Sequence, residues 1–409
     1  MATFSDAGSL LLITLIKVAV VVFVMLTAIA YLTLLERKVV AHIQARWGPH
    51  RVGPHGLLQP LADGVKFILK EDIFPLEADK VIYWLAPFLG FTLAFLSIAV
   101  IPFGESFTIY GHTISFQITD LNVGLLFIFA VTSLGVYSIA LAGWSSNSKY
   151  PLLGGLRSSA QMISYELSLG LAVVGVLMIA GTLSLRGIVN TQAGFFHYHG
   201  MNTYIPHWNI FLQPVGFIVY FIAAIAETNR VPFDLPEGES ELVAGFHTEY
   251  SSMKFAMFFM AEYAAMVTVS LMVSVLFFGG YLSPFPDTPA FHWTWYLPAA
   301  SALAGGAALF FNGIRYHTPQ GRMVLPVIAL VLIGVGVLCA LPAVIGVIQG
   351  PFWLAAKVFV LLFTYVWLRG TLPRLRYDQL MNFGWKFLLP LSLANVLLTS
   401  LLLARSFSS

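Results

Sequence analysis

Ten apolar runs divide this chain, each close to the roughly 20 residues that span a bilayer. They fall near 9–35, 83–102, 121–143, 159–181, 209–227, 254–280, 295–314, 323–347, 352–370 and 386–404. Charged residues make up only 10% of the sequence, against roughly 25% in soluble domains. The expected fold is therefore all-α, a polytopic transmembrane helical bundle. The run at 295–314 is the weakest, because Gly305 and Gly306 interrupt it. No Ala-x-Ala site follows the first run, so that run is expected to be a retained helix and not a signal peptide.

Charge sets the topology. The connections 36–80, 144–158, 228–254, 315–322 and 369–386 hold 17 of the 21 Lys and Arg residues. Arg186 and Arg405 lie on the opposite side, and Lys17 and Lys357 fall inside runs. The positive-inside rule makes the basic side cytoplasmic, with both termini outside. A net charge of +2 gives no reason to expect nucleic acid as a partner; the partner read from composition is the lipid bilayer. Cys339 is the only cysteine, which excludes an internal disulfide and a Cys-ligated iron–sulfur cluster.

Between positions 227 and 262 the acids crowd together. Glu227, Asp234, Glu237, Glu239, Glu241, Glu249 and Glu262 are seven of the chain's 19 acidic residues. Carboxyls gathered at a membrane boundary cannot all ionise cheaply, because desolvation and mutual repulsion disfavour the charged forms. Such a group is suited to taking up and releasing protons. Glu36 and Glu227 end the first and fifth runs on the cytoplasmic side. Glu166 and Glu262 sit seven or eight residues into helices entering from that side, roughly 10–12 Å deep. Ionisable groups at such depth are functional candidates. The competing reading locks Glu166 and Glu262 into structural pairs. Lys17 is expected to snorkel to the outer interface. For Lys357, snorkelling and a place in a polar path are both open.

The 36–80 connection is rich in turn residues from Gln44 to Gly56. After it, Leu57, Leu61, Val65 and Ile68 recur at helical spacing, with Gln59, Asp63, Lys66 and Lys70 between them. That pattern predicts a short helix lying in the membrane interface. It either fills a gap or rims an opening for an amphipathic molecule. None of the ten histidines falls well inside a run, which disfavours a bis-histidine haem. No phosphate-binding glycine loop occurs. No internal repeat is visible, which argues against a repeat-built transporter.

Several segments resemble one family. They are Glu36-Arg-Lys38, the Gln44–Gly56 stretch, Gln59-Pro-Leu-Ala-Asp-Gly-Val-Lys66, Ser164-Tyr-Glu166, Glu227–Glu237, Glu239–Tyr250, Arg369–Arg374 and Arg376–Leu380. Together they resemble the H-subunit family of proton-pumping NADH:quinone oxidoreductase, respiratory complex I, whose mitochondrial counterpart is subunit 1. The resemblance implies a bacterial inner-membrane protein that forms the membrane side of a quinone chamber. Its substrate would be ubiquinone or menaquinone, with no covalently bound cofactor. Flavin and iron–sulfur clusters would sit on partner subunits. Those partners would include the hydrophilic-arm quinone-site subunits, one with the terminal iron–sulfur cluster, and small membrane-arm subunits.

By the same resemblance, Glu36, Arg37 and Asp63 match positions lining or flanking the chamber. Glu166, Glu227, Asp234, Glu237, Glu239, Glu241, Glu249 and Glu262 match the proton-coupling path. No catalytic residue and no metal site is assigned to this chain. The family's eight-helix core maps to 1–281 and 351–409. Two extra helices at 282–350 form an insertion for which peripheral packing is the preferred reading. A homologous subunit of a ferredoxin-, F420- or hydrogenase-linked pump, and a stand-alone ion transporter, remain alternatives.

Overall fold

The computed structural model describes residues 2–109, 112–198, 201–234, 243–286, 288–289, 291–316 and 319–408. Its helices are α1 (Ala2–Ile43), α2 (Gln59–Leu69), α3 (Lys80–Leu96), α4 (Gly124–Ser145), α5 (Lys149–Ala180), α6 (Leu185–Thr191) and α7 (Asn209–Leu212). They continue with α8 (Pro214–Glu227), α9 (Ser252–Phe277), α10 (Leu297–Ile314), α11 (Pro319–Cys339), α12 (Pro342–Thr371), α13 (Tyr377–Phe383) and α14 (Leu389–Ser408). Two small antiparallel hairpins complete the fold: β1 (Phe107–Ile109) with β2 (His112–Ile114), and β3 (Phe195–Tyr198) with β4 (Met201–Pro206). The protein is thus an all-α, multi-pass membrane bundle.

Among the described residues nine helices are long and apolar enough to cross a membrane, the last formed by α13 and α14 joined through a π turn at Gly384–Leu388. The tenth expected span, 209–227, is divided. Gln213 leaves the helical region at φ −131°, ψ 56°, and Pro214 starts α8 without an amide to donate. What remains is a 14-residue α8 preceded by the single turn α7. The boundary between the eighth and ninth spans also differs from the sequence expectation. α11 ends at Cys339 and α12 begins at Pro342, well before 352. Proline at a first helical position has its φ already set for a new helix.

Lipid supplies no hydrophobic drive between helices, so close packing and interhelical hydrogen bonds hold the bundle. α9 is the central helix: 72% of its apolar window is buried, against 11–44% for the other spans. Side-chain amides tie its end and its neighbours. Gln192 donates to the Val275 carbonyl at 2.8 Å, Asn209 to Leu276 at 2.8 Å, and Gln213 to Thr399 Oγ1 at 2.7 Å. Each such bond contributes about 0.6 kcal/mol. Lys357 settles its open reading as a cap on α9. Its Nζ donates to the carbonyls of Phe278, Gly280 and Leu282 at 2.7, 2.8 and 2.6 Å, 4.5 Å from the Trp208 ring centroid. Lys17 reaches Ser115 Oγ and the Gln117 carbonyl at 3.2 and 3.3 Å, in the segment following β2.

The glycines that weakened the 295–314 run have a packing reason. A Cβ at Gly306 would stand 2.6 Å from Ile333 Cγ1, so glycine lets α10 and α11 close on each other.

Candidate functional site

The α8–α9 connection does not stay outside the bundle. Residues 228–230 and 232–234 are buried. Gln161 of α5 holds this segment from beneath, donating to the carbonyls of Ala226 and Phe233 at 2.9 and 2.8 Å. Leu375 N–H donates to the Pro232 carbonyl at 3.0 Å, and Arg374 Nη2 lies 3.0 Å from Asp234 Oδ2. The result aims Arg230 into the core.

Arg230 is the centre of a buried polar chain. Its Nε lies 2.6 Å from Glu262 Oε1 on α9, and its Nη1 lies 3.3 Å from Glu36 Oε1 on α1. The guanidinium also stands 4.2 Å from the Tyr263 ring centroid, a contact worth about 1–2 kcal/mol when desolvated. Tyr263 donates its hydroxyl to Glu36 Oε2 at 2.7 Å. Arg369, at the end of α12, makes a further ion pair with Glu36. Glu36 is buried. Two acids and two guanidinium groups from α1, α9, α12 and the 228–234 segment balance in charge, which permits the burial of Glu36 and Arg230, while Glu262 is partly buried and Arg369 exposed.

Glu36 and Arg37 are sequence neighbours but face different surroundings. Arg37 Nη1 pairs with Asp63 Oδ2 at 2.7 Å, and Lys66 approaches Asp63 Oδ1 at 3.3 Å. Gln59 adds a hydrogen bond to Asp63 at 3.1 Å. Partial burial acts to raise the Asp63 carboxyl. The hydrogen bond and charge of Arg37, with Lys66, outweigh it and hold Asp63 below the usual carboxylate range. Asp63 is thus an anion at neutral pH. Its helix α2 packs against α1 and α9, and leaves Leu61 and Ile68 about two-thirds exposed, at 66% and 67%. The short helix read from the sequence thus forms over Gln59–Leu69 with part of its apolar side uncovered.

Glu262 also lines a cavity of about 140 Å³. Glu227, Asn229 and His247 share its wall, with Gly135 of α4 and Thr268 of α9. A water occupies about 30 Å³ of liquid, so this space holds a few. Burial pushes the His247 imidazole down to about 4, offset in part by Asp234. It is neutral at pH 7 and stores no proton there. Glu166 accepts a hydrogen bond from Ser133 of α4 and lies within electrostatic reach of Glu227. Among the described residues neither Glu166 nor Glu227 forms an ion pair with Lys or Arg. Glu249 is half-buried, and its carbonyl accepts from Tyr83 at 2.7 Å. Glu237, Glu239 and Glu241 lie outside the described residues.

The structure therefore joins Glu36 to Glu262, and Glu262 to Glu227 across a cavity, while Arg37 and Asp63 form a separate pair beside α2. Sequence reasoning missed Arg230, Arg369 and Tyr263. Arg230 and Arg369 were visible as members of matched segments, but only the fold shows what they hold. No group of three metal-ligating side chains occurs among the described residues.

A buried, charge-balanced polar chain at one face of an apolar bundle defines a multi-pass membrane protein with an ionisable interior. Comparison with known proteins gives its family. The chain belongs to the NADH dehydrogenase family, whose profile matches residues 16–400. It is similar to the NADH-quinone oxidoreductase H subunit 1 of Solibacter usitatus (strain Ellin6076), 52% identical over 97% of this chain and 98% of that one. The H subunit 2 of the same enzyme in Koribacter versatilis (strain Ellin345) is also 52% identical, over 96% and 98%. The corresponding H subunit of Thermomicrobium roseum is 44% identical, over 92% of each chain.

Proposed function

We propose that this chain is the membrane subunit of a proton-translocating NADH:quinone oxidoreductase, forming the membrane side of the quinone chamber. The observation that carries the reading is the chain from Glu36 through Arg230 to Glu262, which ends on a cavity shared with Glu227. A charge change beside Glu36 acts on Arg230, and through it on the protonation of carboxyls deeper in the bundle. Quinone enters between α1, α9 and α2; the packing of α2 against both helices supports this. The electrons come from iron–sulfur clusters on partner subunits, and lipid surrounds the remaining faces. Glu166, Asp234, Glu249 and the acids at 237, 239 and 241 belong to the same coupling path. The names of the relatives favour NADH over ferredoxin, F420 or a hydrogenase as the donor system.

The Arg37–Asp63 pair tests the chamber. Asp63→Ala and Arg37→Ala should each lower quinone reductase activity about tenfold or more, the loss expected when a charge-assisted hydrogen bond goes. Electron transfer from NADH to a soluble acceptor, reduced upstream of quinone, should stay near wild type. Equal loss in both assays, with intact assembly, would contradict a local quinone role.

On this reading the protein lies in the bacterial inner membrane, with α7 and α8 together making a tenth crossing beside the nine longer spans, basic connections cytoplasmic and both termini outside. Reporter fusions at positions 320 and 405 should give cytoplasmic and outside signals respectively. A cytoplasmic signal at 405 would rule out an even number of spans.

A further inference from the structure

The α10–α11 hairpin lies within the 282–350 insertion, and its far turn touches the segment that leads into α2. Tyr316 follows α10. Its hydroxyl oxygen accepts from the His55 backbone N–H at 2.9 Å, and its ring meets the His55 ring edge-on at 4.8 Å. His55 belongs to the Pro54–Gly56 turn, three residues before α2. Its carbonyl accepts from Lys38 Nζ of α1. The two backbone groups of one residue are thus held from two sides, one by α1 and one by the insertion. His55 needs this support, because its φ of 51° is in the left-handed region that non-glycine residues seldom adopt. The insertion in turn holds Tyr316. Its carbonyl accepts from Arg322 Nε at 2.7 Å, and Gly321 leaves the room its ring occupies, since a Cβ there would collide with the ring. α11 also packs directly on the Pro54–Gly56 turn.

We infer that the insertion is a brace for the interfacial segment: Tyr316, through His55, positions α2 and with it the quinone entrance. This rests on the quinone reading above, and replaces peripheral lipid packing as the insertion's role. Tyr316 touches no substrate; it is a positioning residue. Without it, α2 spends less time in the docked position. Apparent affinity falls by the fraction lost, while turnover of bound quinone is unchanged.

The test uses the assembled complex in native membranes, with Tyr316→Ala, Tyr316→Phe and Asp63→Ala variants. For Tyr316→Ala, KM for a long-tailed quinone should rise about fivefold, the equivalent of roughly one hydrogen bond. Its kcat and the rate with a soluble upstream acceptor should stay near wild type. Backbone amides of residues 52–69 should exchange faster with deuterium. Tyr316→Phe keeps the ring and loses the acceptor, so a rise of about twofold is expected. Unchanged exchange in Tyr316→Ala overturns the brace. Faster exchange with unchanged KM overturns its link to quinone. If Asp63→Ala lowers quinone activity and neither Tyr316 variant changes KM, the brace alone fails. If Asp63→Ala is also without effect, the quinone reading fails with it.

Discussion

Replacing Arg230 with Met should cost more than any other single change at the polar chain. The side chain is buried and contacts Glu262 at 2.6 Å and Glu36 at 3.3 Å. Removing one partner of a buried pair costs about 3–5 kcal/mol, because the remaining charge loses its compensation in a medium that solvates it poorly. Assembled complex should fall sharply on native gels, and quinone reductase activity should fall about 100-fold or more. Arg230→Met combined with Glu262→Gln removes the uncompensated charge as well. That double variant should recover assembly while remaining inactive, which separates Arg230's structural role from its coupling role. Arg230→Lys keeps the charge but cannot reach two carboxylates with a planar fork, so it should fall between. Normal assembly and normal activity in Arg230→Met would remove the polar chain from both roles.

The helices were legible because membrane insertion is read along one dimension: an apolar run of sufficient length is a span whatever its neighbours do. The errors lie where a single backbone group decides. Pro214 divides the fifth run and Pro342 opens α12 early, and neither changes hydropathy enough to show in a window. The place of Glu262 within α9 was also legible, since helical rise converts sequence position into distance along the helix. Glu36 was read as ending the first run, whereas α1 continues past it to Ile43. The union of the two acids was not legible. It depends on residues 228–234 folding inward, which Gln161 enforces from α5 across more than sixty residues of sequence. Without that fold Arg230 reads as one more cytoplasmic cation in the positive-inside count. Lys357 shows the converse. Its position in an apolar run left a polar path open, whereas its three carbonyl contacts spend its donors on the end of α9.

Glu227→Gln and Glu262→Gln test the step from the polar chain to proton movement. Both carboxyls line the cavity of about 140 Å³, and the wall's histidine is neutral at pH 7. Gln nearly keeps the size and hydrogen-bonding reach of Glu but cannot titrate. Glu227→Gln should assemble normally, whereas Glu262→Gln leaves buried Arg230 with Glu36 alone and should assemble less well. Per assembled complex, each should lose most proton pumping, on the order of tenfold or more for one removed proton carrier. Quinone reductase activity should fall with it, because the two are coupled. Glu→Asp should retain more, since the carboxyl survives about one methylene out of place. The structural-pair alternative predicts poor assembly for Glu262→Gln, with near-normal activity per assembled complex. A third variant leaves both acids intact. Gly135 lines the cavity, and a Cβ there would meet nothing within 4 Å. Gly135→Leu should therefore fit, fill space that water would occupy, and slow pumping without loss of assembly, whereas Gly135→Ala should do little. Full pumping in Gly135→Leu, alongside full specific activity in both Gln variants, would place the proton path elsewhere in the bundle.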